Sequence, residues 1–155
     1  MNVETDDAKP ISPAPYRASL DVKRIIDETL AELLPDDVIE ESDSPWASLA
    51  IWVLQKGKDR FCIDFRKVNE VTKADRYPIP RIDDILSQFA GKASFSSFIA
   101  NKGFHQIEIK EEDKEKTAFR THCGLHQYKR MPFGLKSGPA VFQRLMDEVL
   151  GRFKW

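Results

Sequence analysis

Phe95-Ser96-Ser97-Phe98-Ile99-Ala100-Asn101-Lys102-Gly103-Phe104-His105-Gln106-Ile107 is the stretch that decides the fold class. Aromatic and β-branched residues on both sides of a glycine predict a strand over 93–100 and a second over 105–109. Downstream, 117–121 and 127–130 predict further strands, with Gly124 marking a turn between them. Pro139 then opens a helix that places Val141, Phe142, Leu145, Met146, Val149 and Leu150 on one face. Upstream, Ser19 is placed to cap a helix whose apolar positions Val22, Ile25, Ile26, Leu30, Leu33 and Leu34 recur at helical spacing, and Pro35 ends it. The run 48–54 is rich in β-formers, Lys56-Gly57-Lys58-Asp59 makes a turn, and 60–65 returns as a second strand, a β-hairpin with a basic tip. Pro78 and Pro80 hold an extended link into a short helix marked by Ile82, Ile85, Leu86 and Phe89, which Gly91 closes. The fold class these elements predict is α+β.

Composition limits what the chain can be. With 155 residues, 41% of them hydrophobic, it can bury one core. No run of eighteen apolar residues exists and the first seven residues are acidic and polar, so the expectation is neither a membrane span nor a signal peptide, and an intracellular location in cytoplasm or nucleus. Cys62 and Cys123 are far apart and lack C-x-x-C spacing, which suits reduced thiols. Residues 1–16 carry Pro10, Pro13 and Pro15 with almost no apolar periodicity and are expected to be flexible, leaving 17–155 as the ordered unit. Charge is divided unevenly: residues 1–48 hold 4 Lys/Arg against 12 Asp/Glu, a net of −8, whereas 49–155 hold 20 against 13, a net of +7. A basic body suits a phosphate-rich partner, although lysine and arginine also cover ordinary solvated surfaces.

Five ordered blocks carry a family resemblance. They are Arg76-Tyr77-Pro78-Ile79-Pro80-Arg81-Ile82-Asp83-Asp84; Phe95-Ser96 followed by Gly103-Phe104-His105-Gln106-Ile107; Lys116-Thr117-Ala118-Phe119-Arg120-Thr121; Met131-Pro132-Phe133-Gly134-Leu135; and Pro139-Ala140-Val141-Phe142-Gln143. In this order they resemble the reverse transcriptase (RNA-directed DNA polymerase) domain of gypsy-type LTR retrotransposon Pol polyproteins, in truncated form. The resemblance implies the fingers and first half of the palm of a right-hand polymerase over 17–155. It also implies two-metal chemistry, in which carboxylates hold two magnesium ions about 4 Å apart. The family's first palm aspartate falls four positions before Gly103, and this chain has Ile99 there. The family's Tyr-x-Asp-Asp hairpin follows the helix that closes this sequence. Asp83, Asp84 and Glu108 lie off the strand expected around Ile99, and the neutral amide of Asn101 is a poor magnesium anchor. No catalytic residue and no cofactor is therefore expected for this chain alone, with magnesium belonging to the intact family.

Other implied roles fall on residues that are present. Arg60 matches the fingers arginine that grips an incoming triphosphate, and Lys56 at the hairpin tip is a second cation, unless it serves only solubility. Phe104 matches the bulky residue that excludes a ribose 2′-hydroxyl, or is simply a core aromatic. Phe133 and Gly134 match the turn that lines the nucleotide pocket, glycine permitting close backbone approach. His122-Cys123-Gly124-Leu125-His126 places imidazole and thiol side by side, but no fourth ligand of a structural zinc site is evident, so no metal site is expected. The expected partners are an RNA/DNA primer-template, held weakly, and a second copy of the chain through an open palm-sheet edge at Phe98-Ile99-Ala100. Two rivals remain open: a subunit that borrows carboxylates from a partner, and a domesticated remnant that binds nucleic acid or protein.

Overall fold

Ser19 begins the first helix as its spacing predicts, its hydroxyl accepting a hydrogen bond from the Val22 amide at 3.3 Å. This computed structural model describes residues 1–14, 17–53 and 60–151. Helix α1, Leu20–Leu33, buries Ile26 and Leu30 and rests Val22 and Leu33 on the same core, while Leu34 beyond its end is exposed. Strands β1 (Ile39–Glu41), β2 (Ser48–Val53), β3 (Arg60–Asp64), β4 (Phe119–Thr121) and β5 (Gly124–Tyr128) form one sheet in the order β1-β5-β4-β2-β3. Every pairing is antiparallel except β2 with β4, where Ser48 faces Phe119 and Leu49 faces Arg120 in parallel. The β2–β3 ladder runs from Leu49 opposite Asp64 to Val53 opposite Arg60. The basic turn expected at 56–59, with Lys56, lies outside the described residues.

Beneath the sheet the core is aromatic. Phe119 is fully buried, with Tyr128 at 5.2 Å and Phe61 at 6.2 Å between ring centroids, and Phe65 packs edge-on against Tyr128 at 6.3 Å. Tilted and edge-to-face rings at these spacings gain beyond their buried area. Burial also drives the Tyr128 hydroxyl far above its ordinary range. The remaining helices are α2 (Arg66–Val71), which periodicity did not predict, α3 (Ile82–Gln88), the single turn α4 (Glu111–Lys114), and α5 (Gly138–Leu150). Gly91 ends the α3 region at a φ of +73° as expected. Helix α3 buries none of its residues, so Ile82, Ile85 and Leu86 stay exposed.

Several expectations need correction. Residues 1–14 do not hang free. Val3 is 1% exposed within the core, its amide donates to the Asp113 carboxylate at 2.9 Å, and Lys116 Nζ donates to its carbonyl at 2.8 Å. The Met1 amine donates to the Glu108 carbonyl, Lys73 N to Glu4 O at 2.8 Å, and Ala47 N to Ile11 O at 2.9 Å. Low apolar periodicity gave no warning, because one buried valine and a row of backbone hydrogen bonds leave no periodic signal. Second, 93–100 is not a strand. No described strand pairs with it, and a strand without a hydrogen-bonded neighbour has little to hold it extended. Third, 105–109 is a 3-10 turn, Gly103–Gln106, followed by an isolated bridge between Glu108 and Arg130. Lys102 precedes that turn at a φ of +46°, and the Phe142 ring lies where a Gly103 Cβ would sit, 3.0 Å away, so α5 presses the turn closed. The strand expected over 127–130 starts three residues earlier, and 117 closes a second 3-10 turn.

Candidate nucleic-acid interface

The turn at Phe133-Gly134 is the most firmly built of the expected site features. Gly134 has a φ of +93°, a left-handed conformation that glycine adopts without penalty. Asn69, on α2, clamps it from below: Asn69 Nδ2 donates to the Gly134 carbonyl at 2.7 Å, and Lys136 N donates to Asn69 Oδ1 at 2.8 Å. Lys136 Nζ then donates to the Asn69 and Thr72 carbonyls at 3.2 and 3.1 Å, placing its charge on the carbonyl end of α2. The clamp presents Phe133 outward at 68% exposed, with its inner face stacked on Phe104 at 4.8 Å and 21° between planes. Phe104 leans on Phe142 of α5 at 5.2 Å, and His105 meets Phe133 edge-on at 6.0 Å. Burial lowers the His105 pKa, so the imidazole beside the ring stack is neutral at pH 7. An exposed ring backed by a second ring is a surface on which a planar base can stack.

Arg60 begins β3, exposed, and stands opposite Val53 of β2. The hairpin thus carries a guanidinium at its outer end, suited to phosphate oxygens. At the inner end Asp64 forms a two-bond pair with Arg66 at 2.8 and 2.7 Å, which holds the Asp64 carboxyl below its usual range. On the opposite side Arg144 bonds Asp75 at 2.9 Å and covers the Tyr77 ring at 4.8 Å, while the Tyr77 hydroxyl donates to Asp147 at 2.7 Å. These contacts fasten the proline-bearing link to α5. The Asp75–Arg144 pair thus has a structural job.

The segment that carries Ile99 offers no carboxylate of its own to a magnesium pair. Ile99 is 93% exposed, and residues 93–103 contain no carboxylate. Hard divalent cations take oxygen ligands, and carboxylates supply the charge. Among the described residues, the one cluster of three potential metal-ligating side chains is Asp27, His122 and Cys123, which includes none of 93–103.

Residues 48–155 match the reverse transcriptase (RNA-dependent DNA polymerase) family. The chain belongs to this family. Among its relatives is the Pol polyprotein of transposon 297 of Drosophila melanogaster, 45% identical over 81% of this chain and 12% of that protein. The Pol polyprotein of transposon gypsy, from the same organism, is 37% identical over 96% of the chain and 15% of its own length. This reverse-transcriptase chain therefore spans about an eighth to a seventh of those polyproteins. The foamy viral protease-reverse transcriptase in complex with an RNA/DNA hybrid superposes with a TM-score of 0.82 over 97% of this chain and 20% of that one. At 20% identity the likeness carries the α+β fingers-and-palm fold. No described helix is long and apolar enough to cross a membrane.

The fold gathers Phe104, Phe133 and Gly134 into one place and leaves Arg60 on the hairpin. Sequence reasoning missed Asn69 and Lys136. Neither belongs to the quoted blocks' aromatic and glycine signals, and Asn69 lies 65 residues from the carbonyl it holds.

Proposed function

We propose that residues 17–155 are the fingers and first half of the palm of a retrotransposon reverse transcriptase, and that this chain holds nucleic acid without polymerising it. Ile99 carries the proposal: an exposed hydrocarbon occupies the position where the family resemblance puts a metal-binding aspartate. Phosphoryl transfer is mostly positioning and charge neutralisation, and neither can be supplied by an alkyl group. Binding requires less. The exposed Phe133 face offers base stacking and Arg60 a phosphate contact, and the net charge of +7 over 49–155 favours a polyanion. A foamy viral relative of the same fold is described in complex with an RNA/DNA hybrid, which supports a primer-template as the ligand.

The test combines fluorescence anisotropy on a labelled primer-template with primer extension in magnesium. Affinity is expected to fall steeply with salt. Phe133→Ala should weaken binding by about thirtyfold, the middle of the stacking range of about 1–3 kcal/mol. Arg60→Ala should weaken binding on all sequences alike and flatten the salt dependence. No extension should occur, and Ile99→Asp should not restore it, because one carboxylate does not make a two-metal site. Extension by the unmodified chain, or low-salt affinity no better than that of a neutral protein, would end the proposal.

A further inference from the structure

Two of the three donors in the one ligand-like cluster among the described residues are neighbours in sequence, and the third is brought by the fold. His122 and Cys123 form the tip of the β4–β5 hairpin, which Thr121 opposite Gly124 closes and the Cys123 amide stiffens by donating to Thr121 Oγ1 at 3.2 Å. Helix α1 packs beside this tip and presents Asp27 to it. Cys123 Sγ lies 3.0 Å from Asp27 Oδ1, His122 Nε2 lies 3.1 Å from the same oxygen, and sulfur and nitrogen are 3.3 Å apart. Sulfur, nitrogen and oxygen therefore form a nearly equilateral triangle. From metal–ligand lengths of about 2.3 Å to sulfur and 2.0–2.2 Å to nitrogen and oxygen, the matching edges of a tetrahedral zinc site are roughly 3.4–3.6 Å. The donors stand a few tenths of an ångström inside those edges, within reach of a side-chain adjustment.

We propose that Asp27, His122 and Cys123 bind a zinc ion, with the fourth corner open to water. The donor set decides the class of metal. A thiol sulfur and an imidazole nitrogen favour a borderline-soft ion over magnesium or calcium, which prefer all-oxygen shells. Binding replaces the thiol proton: the S–H bond breaks, sulfur keeps the electron pair and bonds the metal, and the proton leaves to buffer. Without an ion, the S–H donates to Asp27 and the carboxylate holds the thiol pKa up. A dication reverses that repulsion and neutralises thiolate and carboxylate together. All three residues lie at the surface, which gives the ion an access path. The bound ion would tie α1 to the β4–β5 tip, two elements separated by 96 residues of sequence at the Asp27–Cys123 contact.

Cobalt(II) replaces zinc as a coloured probe in the test, added to the full chain with a phosphine reductant. A thiolate-to-cobalt charge-transfer band should rise to a plateau at one ion per chain and vanish on adding zinc. Cys123→Ser should abolish the band, and Cys62→Ser should leave it intact. Asp27→Asn and His122→Ala should each weaken binding by more than about 100-fold, the upper end of what losing an outer-shell partner costs. As a second readout, zinc should raise the melting temperature of the wild type and not of Cys123→Ser. Absence of the band in the wild type, its survival in Cys123→Ser, or equal cobalt affinity in Asp27→Asn would overturn the assignment.

Discussion

Replacing Asn69 with alanine removes both bonds that fix the Phe133-Gly134 turn: the 2.7 Å bond to the Gly134 carbonyl and the 2.8 Å bond from the Lys136 amide. A hydrogen bond contributes about 0.5–1.5 kcal/mol net, and both of these lie where water can replace a lost partner. The loss should therefore fall in the lower part of the range for two bonds, about 1–2 kcal/mol. For a chain of this size each kcal/mol moves the melting temperature by about 2–4 °C, giving a drop of about 2–8 °C. Asn69→Asp separates the two bonds. An aspartate can still accept from Lys136 N, but it cannot donate to the Gly134 carbonyl and sets an oxygen against it. Calorimetry should therefore show both variants destabilised. Anisotropy should show weaker nucleic-acid binding in both, since Phe133 loses its fixed direction. A melting temperature for Asn69→Ala equal to that of the wild type would refute the clamp, and unchanged binding with lowered stability would separate the clamp from the stacking surface.

Gly134→Ala tests backbone strain by itself, because an added Cβ meets only ordinary contacts at 3.6 and 3.7 Å while φ stays at +93°; a loss of about 1–2 kcal/mol is expected in urea unfolding, and none would show that the turn relaxes freely. Acid should destabilise the fold. Burial holds the His105 and His126 pKa values below 6.5, so as pH falls the unfolded chain takes up protons first, and stability present above about pH 6.5 is lost below it. Urea midpoints at pH 7.5 and 5.5 measure this, with a smaller difference in His126→Phe, whose ring can keep the stack on Phe119; a midpoint higher at pH 5.5 would contradict the sign. Phe98 and Ile99 stand 88% and 93% exposed near the exposed Phe95, an apolar patch suited to self-association. Sedimentation velocity should find oligomers that Ile99→Lys reduces, and a monomeric wild type would exclude the patch as an interface.

Local chemistry settled much of this protein from its sequence. Ser19, the period of Val22 to Leu33 and Pro35 bound α1 because a cap, an amphipathic face and a stop all lie within one helix. The β2–β3 pair and the start of α5 at Pro139 are local in the same way. The five blocks fixed the family, and the isoleucine at 99 was visible without coordinates. Tertiary structure decided what depends on distant partners. Residues 93–100 have β-forming composition but lack a described strand to pair with, so composition predicted a strand that pairing does not supply. Val3 lies in the core through hydrogen bonds to residues more than 100 positions away. Asn69 reaches across 65 residues to Gly134, and Asp27 across 96 to Cys123. Periodicity and capping report each element's own backbone needs, whereas side-chain pairs that close such long loops are specified only when the sheet and helices have packed.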